Sequence, residues 1–409
     1  MKSEFLFSSS PVSTKRQFVR LWILVSFLGV LYGNSSGQDF TTVHPGVEYA
    51  HVDYKLGNDP VKINLLRLDL TKVRLDVHHA LDKSIGTETT SSIATRHRAV
   101  AAINAGFFRL DRSEFAGDPA GVLIIDGELL SESERGRIAM RVLNANKRTD
   151  IFFSHRETFG WFAFGELHSG IKLSGFNRQR KEGEIVLYDR SFGPEAPPSS
   201  GGTDLVLKSC KRTIVKKVVS PTCGDIEIVE GATRTSIPNQ GYVISLGADD
   251  RVSTRALLKD LRLYLARKQK KRTFRIRVED KLFGGPLQIE DSVAGVPQLI
   301  KGGKVDITWE QEKAGKSFVE MRHPRTAVAK LRDGKFLMIT VDGRQPGVSV
   351  GMDLYELADY LLSLGASDAM NFDGGGSTTM FLDGKVVNTP SDKEGERKVS
   401  DAILVTLRK

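Results

Sequence analysis

The sequence predicts an α+β fold, a large twisted and mainly antiparallel sheet with a few packed helices. Three observations lead there: many short strand-like runs, few helical patterns of which one is prominent, and no regular strand–helix alternation of the kind that builds a parallel sheet. Apolar and polar residues alternate from Val61 to Leu68 and from Val73 to Val77. Ala99 to Asn104 is a small apolar run suited to a buried strand, with Gly106 starting a turn. In Val122 to Leu129, Asp126-Gly127 between apolar residues signals a hairpin. Pro194 to Gly202, rich in Pro, Gly and Ser, reads as a surface loop or boundary. Ser253 to Gln269 carries Leu257, Leu258, Leu261 and Leu265 at helical spacing, and Phe318 to Asp342 reads as two strands. Leu354, Leu357, Ala358, Leu361 and Leu362 mark one face of the best helix, closed by Gly365 at the C-cap position. Ala369 to Asp373 returns as a strand, Thr378 to Leu382 pairs with Lys385 to Asn388 across Asp383-Gly384, and Ala402 to Leu407 ends the chain.

With 40% hydrophobic and 27% charged residues over 409 positions, the chain is of ordinary globular composition, which argues against disorder and fibrous architecture. Its expected organisation is a signal peptide over 1–37, a strand-rich N-terminal region over 38–98 packed on the main domain, and a main domain over 99–409. Lys15, Arg16 and Arg20 precede an apolar run from Leu21 to Leu31, which falls short of the roughly 20 residues that span a bilayer. Export to the periplasm or extracellular space is expected, with cleavage near Gly37 and no stable membrane span afterwards. Cys210 and Cys223 are the only cysteines, and they fit either a disulfide clipping a hairpin or two unpaired buried thiols. The formal charge is +9; residues 1–37 hold four basic side chains against Glu4, so leaving them out lowers it by three to +6. That balance mildly favours an anionic ligand. The basic run from Arg267 to Arg272 lacks interleaved aromatics and reads as a solvated loop, so no nucleic-acid partner is expected.

The segment Asn371 to Thr379 is the richest in chemistry. Gly374, Gly375 and Gly376 directly after a strand let a ligand approach the backbone, whose amides can form an anion nest; Ser377 and Thr378 add hydroxyls, and Asp373 adds a carboxylate. Asp342-Gly343-Arg344 follows another strand, and Arg325-Thr326 opens one. Arginine forks suit phosphate oxygens. Asn104 stands at a strand end, where it could position a ligand or shape a buried turn. Glu320 is a weaker acid/base candidate, and His323 reads as structural. Nothing has metal-ligand spacing, so no cofactor is expected, while a divalent cation in a structural role stays open.

Taken together, Asn104-Ala105-Gly106-Phe107-Phe108, Gly121, Pro324-Arg325-Thr326-Ala327, Asp342-Gly343-Arg344, Gly365-Ala366, Asp373 to Thr379, Asn388 to Asp392 and Gly395-Glu396-Arg397 resemble the phosphodiester glycosidase family, whose domains are like that of N-acetylglucosamine-1-phosphodiester alpha-N-acetylglucosaminidase. The resemblance covers roughly 99–409, most closely from Pro324 onward. Ala329, where the family often has glycine, and Ala294 to Pro297 depart from it. The resemblance implies hydrolysis of the glycosidic C–O bond of a sugar-1-phosphodiester, releasing a sugar and a phosphomonoester. In that reading Arg325 and Arg344 hold the phosphate with Ser377, Thr378 and the amides of Gly374 to Gly376, and Asn104 and Thr326 help bind substrate. Asp342 and Asp373 are candidates for nucleophile, base or oxocarbenium stabiliser. The partner is then an anionic sugar phosphodiester or cell-envelope glycan. A metal-dependent phosphodiesterase and a noncatalytic glycan-binding protein are the alternatives. Oligomeric state is not legible.

Overall fold

A computed structural model describes residues 38–408 except 135, 166–170, 200, 212–213, 216–217, 220, 232, 248–251, 269–271 and 283–289. The expected signal peptide, with Lys15, Arg16, Arg20 and the apolar run, lies outside the described residues, as does the middle of the basic run 267–272. Strands account for 47% of the residues and helices for 12%. The expected α+β class is therefore wrong, and the chain is predominantly β, divided among several sheets. Helical periodicity is easy to see, whereas strands buried on both faces show no alternation. Ala101–Asn104 and Phe336–Val341 are such strands, buried at every position. The middle of the chain, sparse in legible signals, forms long antiparallel strand pairs, with Thr149–Phe164 paired through its first half to Ile138–Asn144 and through its second half to Phe274–Leu282. These belong to a twelve-stranded sheet.

An eight-stranded sheet positions the chemistry. Its order runs Thr41–His44, Val47–Leu56, Asp59–Leu68, Phe336–Val341, Arg325–Leu331, Ala366–Asn371, Gln298–Lys301 and Lys304–Val305. A five-stranded sheet runs Lys385–Val386, Met380–Leu382, Ala101–Asn104, Asp401–Leu407 and Val73–His79. Residues 38–98 thus supply strands to the same sheets as the far end of the chain: Asp59–Leu68 pairs with Phe336–Val341, and Val73–His79 with Asp401–Leu407.

Period-two alternation sorts the core into layers. Ile63, Leu65, Ala327, Ala329, Leu337 and Ile339 point to one face of the eight-stranded sheet, where they meet Leu354, Leu357, Ala358 and Leu361. Leu66, Leu68, Val328, Met338 and Met370 point to the other, against Leu75, Ile103, Ile403 and Met140 from the two other sheets. A third cluster buries Leu257 and Leu261 of the helix Val252–Ala266 against the twelve-stranded sheet. Cys210 and Cys223 face each other across Thr203–Lys211 and Thr222–Glu230 and form a disulfide of 2.03 Å.

The helix Leu354–Ser363 begins where its sequence dictates. The Asp353 carboxylate accepts the Glu356 amide at 2.8 Å and the Glu356 carboxylate accepts the Asp353 amide at 3.0 Å, a reciprocal capping box. Gly365, at φ +88°, takes the left-handed position beyond its C-terminus. Replacing Asp353 with Ala is expected to lower unfolding free energy by about 1 kcal/mol. Urea denaturation checks this, and an unchanged midpoint would refute the cap's contribution.

Candidate active site

The strand register draws distant motifs to one end of the eight-stranded sheet. Val341 lies opposite Arg325, and Ala327 lies opposite Asn371. Asp342-Gly343-Arg344, the start of Arg325–Leu331, and Asp373 to Gly376 consequently emerge together. Asn104, ending its strand in the five-stranded sheet, ties them in place: its Nδ2 donates to the Asp373 carbonyl at 2.7 Å, and its Oδ1 accepts the Thr326 hydroxyl at 2.7 Å and the Thr379 amide at 3.1 Å. The Asp373 amide returns a bond to the Ala105 carbonyl at 2.9 Å. Asn104 and Thr326 are fully buried, so both act as positioning residues that spend their polar atoms on protein, not on a ligand.

The glycines form the floor of a cradle. Gly375–Ser377 is one turn of 3₁₀ helix, anchored by the Gly375 amide donating to the Pro324 carbonyl at 2.9 Å. Gly375 has φ +61°, and a Cβ there would lie 3.0 Å from Arg344 Nη2. The guanidinium therefore lies directly over this glycine. Arg344 is exposed and makes no hydrogen bond or ion pair among the described residues. At Gly376 the space a Cβ would need is taken by Arg397 Nη2 and Asp392 Oδ1. Those two side chains form a bidentate pair, with Arg397 Nε donating to Asp392 Oδ2 at 2.7 Å and Nη2 to Oδ1 at 3.0 Å. Behind the turn, the hydroxyls of Thr378 and Thr379 are buried and lack hydrogen-bond partners among the described residues, while the buried Ser377 hydroxyl faces the Asp373 carboxyl. Buried hydroxyls without partners are unusual and signal a place for a ligand or water.

Asp373 is the carboxylate of this cradle. Burial pushes its pKa up to about 6, and the charge of Asp401 adds to the rise, while the Ser377 hydroxyl, the Arg397 guanidinium and the Gly374 amide oppose it. A carboxyl that titrates near neutrality suits proton transfer. His323 stands beside the two arginines with its Nδ1 buried and unpartnered. Burial lowers its pKa, and the charges of Arg325 and Arg344 lower it further, so the imidazole is neutral at pH 7.

Two residues expected to carry chemistry are engaged elsewhere. Arg325 is buried, its Nε donating to the Met352 carbonyl at 2.8 Å and its Nη2 to those of Phe318 and Met321 at 2.8 and 2.7 Å. Burial first, then the Arg344 charge, brings its pKa down to about 10. It shapes the wall, and a bidentate grip on phosphate would require breaking these bonds. Asp342 is also buried, accepting Asn388 Nδ2 at 3.1 Å and the Thr389 amide at 3.0 Å on Oδ2. Asn388 in turn donates to the Thr378 carbonyl and accepts the Met380 amide, so Asp342 supports the cradle from behind. Glu320 is exposed at the end of the helix Lys316–Glu320, where a strand had been expected, and pairs with Lys316 at 3.6 Å.

Arg397 and Asp392 were read only as parts of a motif. The signal that could have found them is Gly376 itself: a third consecutive glycine implies a neighbour that excludes any side chain. Among the described residues, the ligand atoms of His78, Asp82 and His97 come within 4.8 Å of one another. The His78 and His97 rings stack at 3.6 Å and 25°, however, so their in-plane lone pairs run side by side. Arg96 donates to Asp82, which already places a cation there. The arrangement does not suit a metal.

Comparison with known proteins adds the family. The phosphodiester glycosidase family model matches residues 218–406. The bovine (Bos taurus) N-acetylglucosamine-1-phosphodiester alpha-N-acetylglucosaminidase is 35% identical over 109 residues, 24% of this chain and 20% of the bovine protein. An uncharacterized SPbeta prophage-derived protein of Bacillus subtilis is 38% identical over 88 residues, 22% of this chain and 13% of its own length. The chain thus spans about a fifth or less of the curated relatives it matches. A hypothetical protein from Synechocystis has a solved structure with a TM-score of 0.67 at 21% identity, covering 89% of this chain and 62% of that one, which establishes a shared fold. It is therefore the phosphodiester glycosidase family that residues 218–406 match, the same one that the motifs of the sequence resemble.

Proposed function

We propose that the chain is a hydrolase that cleaves the glycosidic C–O bond of a sugar-1-phosphodiester. The observation that carries this reading is the Arg344 guanidinium, without a partner among the described residues, lying over Gly375 in the turn that follows Asp373, with the Arg397–Asp392 pair packed on Gly376. Arg344 receives a phosphate oxygen, with the Thr378 hydroxyl, unpartnered among the described residues, as a further donor. When the sugar C–O bond breaks, its electron pair stays on the phosphate oxygen, where charge accumulates against the guanidinium. A phosphomonoester is stable as an anion, so no acid need protonate it. Asp373, mostly ionised at pH 7 with a pKa of about 6, takes the proton of the water that attacks the anomeric carbon. Export is part of the proposal: it is supported by the basic and apolar N-terminal stretch and by the Cys210–Cys223 disulfide, a bond favoured in oxidising compartments.

A panel of sugar-1-phosphodiesters incubated in oxygen-18 water tests the reaction. Label in the sugar is expected; label in the phosphate would show P–O cleavage and overturn the reading. Arg344→Ala is expected to lower kcat/KM roughly 100- to 1,000-fold, the range for losing a donor to developing negative charge. Near-normal turnover would remove Arg344 from the site.

Asp373 gives a second, non-kinetic check. Its folded pKa is raised from 3.8 to about 6, so the folded state binds more protons than the unfolded one between those values, and stability falls as pH rises through that window. Asp373→Asn is expected to abolish turnover, to melt higher than the parent at pH 8, and to lose that advantage by pH 4. Equal melting differences at both pH values would show that the carboxyl titrates normally.

A further inference from the structure

A cavity of about 690 Å³ opens between Phe108, Asp118, Glu132, Phe176, Arg178 and Gln179. Its size falls in the roughly 300–1,000 Å³ range of small-molecule sites. The charged frame is largely neutralised from within. Arg178 spends all its N–H groups, donating from Nε to Glu132, from Nη1 to Glu184 at 2.6 Å and the Gln179 carbonyl at 2.9 Å, and from Nη2 to Glu184 at 3.1 Å and the Ser174 carbonyl at 2.8 Å. Arg109 donates to Asp111 and to Gln179 Oε1. Arg178, at least, is not left to grip a phosphate or sulfate. Asp118 differs, because its carboxyl makes no hydrogen bond among the described residues. Burial and the charge of Glu132 hold its proton up to about pH 7, against Arg178 and Arg109, so near neutrality the group both donates and accepts. The half-buried ring of Phe108 supplies an apolar face.

A free carboxyl, an arginine whose N–H groups are all engaged by protein and an aromatic ring together match an uncharged polyhydroxylated ring, whose vicinal hydroxyls both give and take hydrogen bonds and whose C–H face packs on an arene. We propose that this cavity is a carbohydrate subsite that takes uncharged sugar units through Asp118. It lies within reach of the cradle. Phe108 is four residues past Asn104, whose amide holds the Asp373 backbone, so the chain separates them by at most about 15 Å. A glycan of a few units could occupy both.

The test uses chitotriose and maltotriose, which carry no phosphate, titrated by calorimetry into the full chain and its variants. Saturable binding of at least one is expected, unchanged in Arg344→Ala. It should weaken at least tenfold in Asp118→Ala and in Ala120→Trp, which fills the cavity from a position on its wall. Asp118→Asn, which keeps a donor and an acceptor, should stay within threefold. Melting curves matching the parent's show that each variant folds. The proposal fails if neither trisaccharide binds, if Ala120→Trp binds as the parent does, or if Arg344→Ala abolishes binding, which would place the sugar in the cradle. Because the probes lack a phosphodiester, a failed turnover assay and a failed binding assay report on different sites.

Discussion

The buried amide of Asn104 is the interaction on which the cradle depends. One side chain from the five-stranded sheet satisfies the Asp373 carbonyl, the Thr326 hydroxyl and the Thr379 amide, which belong to the other sheet and to the glycine turn. Buried polar groups left unmade cost about 1–3 kcal/mol each. Replacing this one residue would orphan three at once. The amide is suited to the task because it presents a donor and an acceptor on one rigid plane.

Around that clamp, charge is arranged asymmetrically. Arg325 and Asp342 lie deep, where every contact is with protein, and they hold the walls. Arg344 and Asp373 lie nearer solvent, and each is held in a state that the isolated residue would avoid. Arg344 sits at φ +61°, a conformation uncommon for a side chain of its size, and Asp373 keeps a proton well above the ordinary carboxylate range. Strain and a perturbed acid around one glycine turn mark this region as the candidate functional site.

Much of this was legible in the sequence, and the illegible part has identifiable causes. The convergence of Arg325, Arg344 and Asp373 could be anticipated because each motif abuts an apolar run, and strand ends are where a rigid scaffold presents side chains. Which of them faces outward could not, since that depends on the parity of Val341 against Arg325 and on carbonyls of Met352, Phe318 and Met321 that no spacing rule predicts. The fold class was misread for a related reason. The helix from Leu354 to Ser363 announces itself by its period, while strands such as Phe336–Val341, buried throughout, present only a run of apolar letters. Arg397 was read only as part of a motif because Gly376, the glycine beneath it, is distant in sequence and meets it only in space.

The strand that carries Asn104 lies between Met380–Leu382 and Asp401–Leu407, both from the opposite end of the polypeptide. During synthesis, then, the first of the chemistry-bearing segments to leave the ribosome has no neighbours to pair with until nearly everything else has followed. Long-range pairing of this kind is slow to form. A polypeptide so built leaves its glycine cradle open until its last strands are in place.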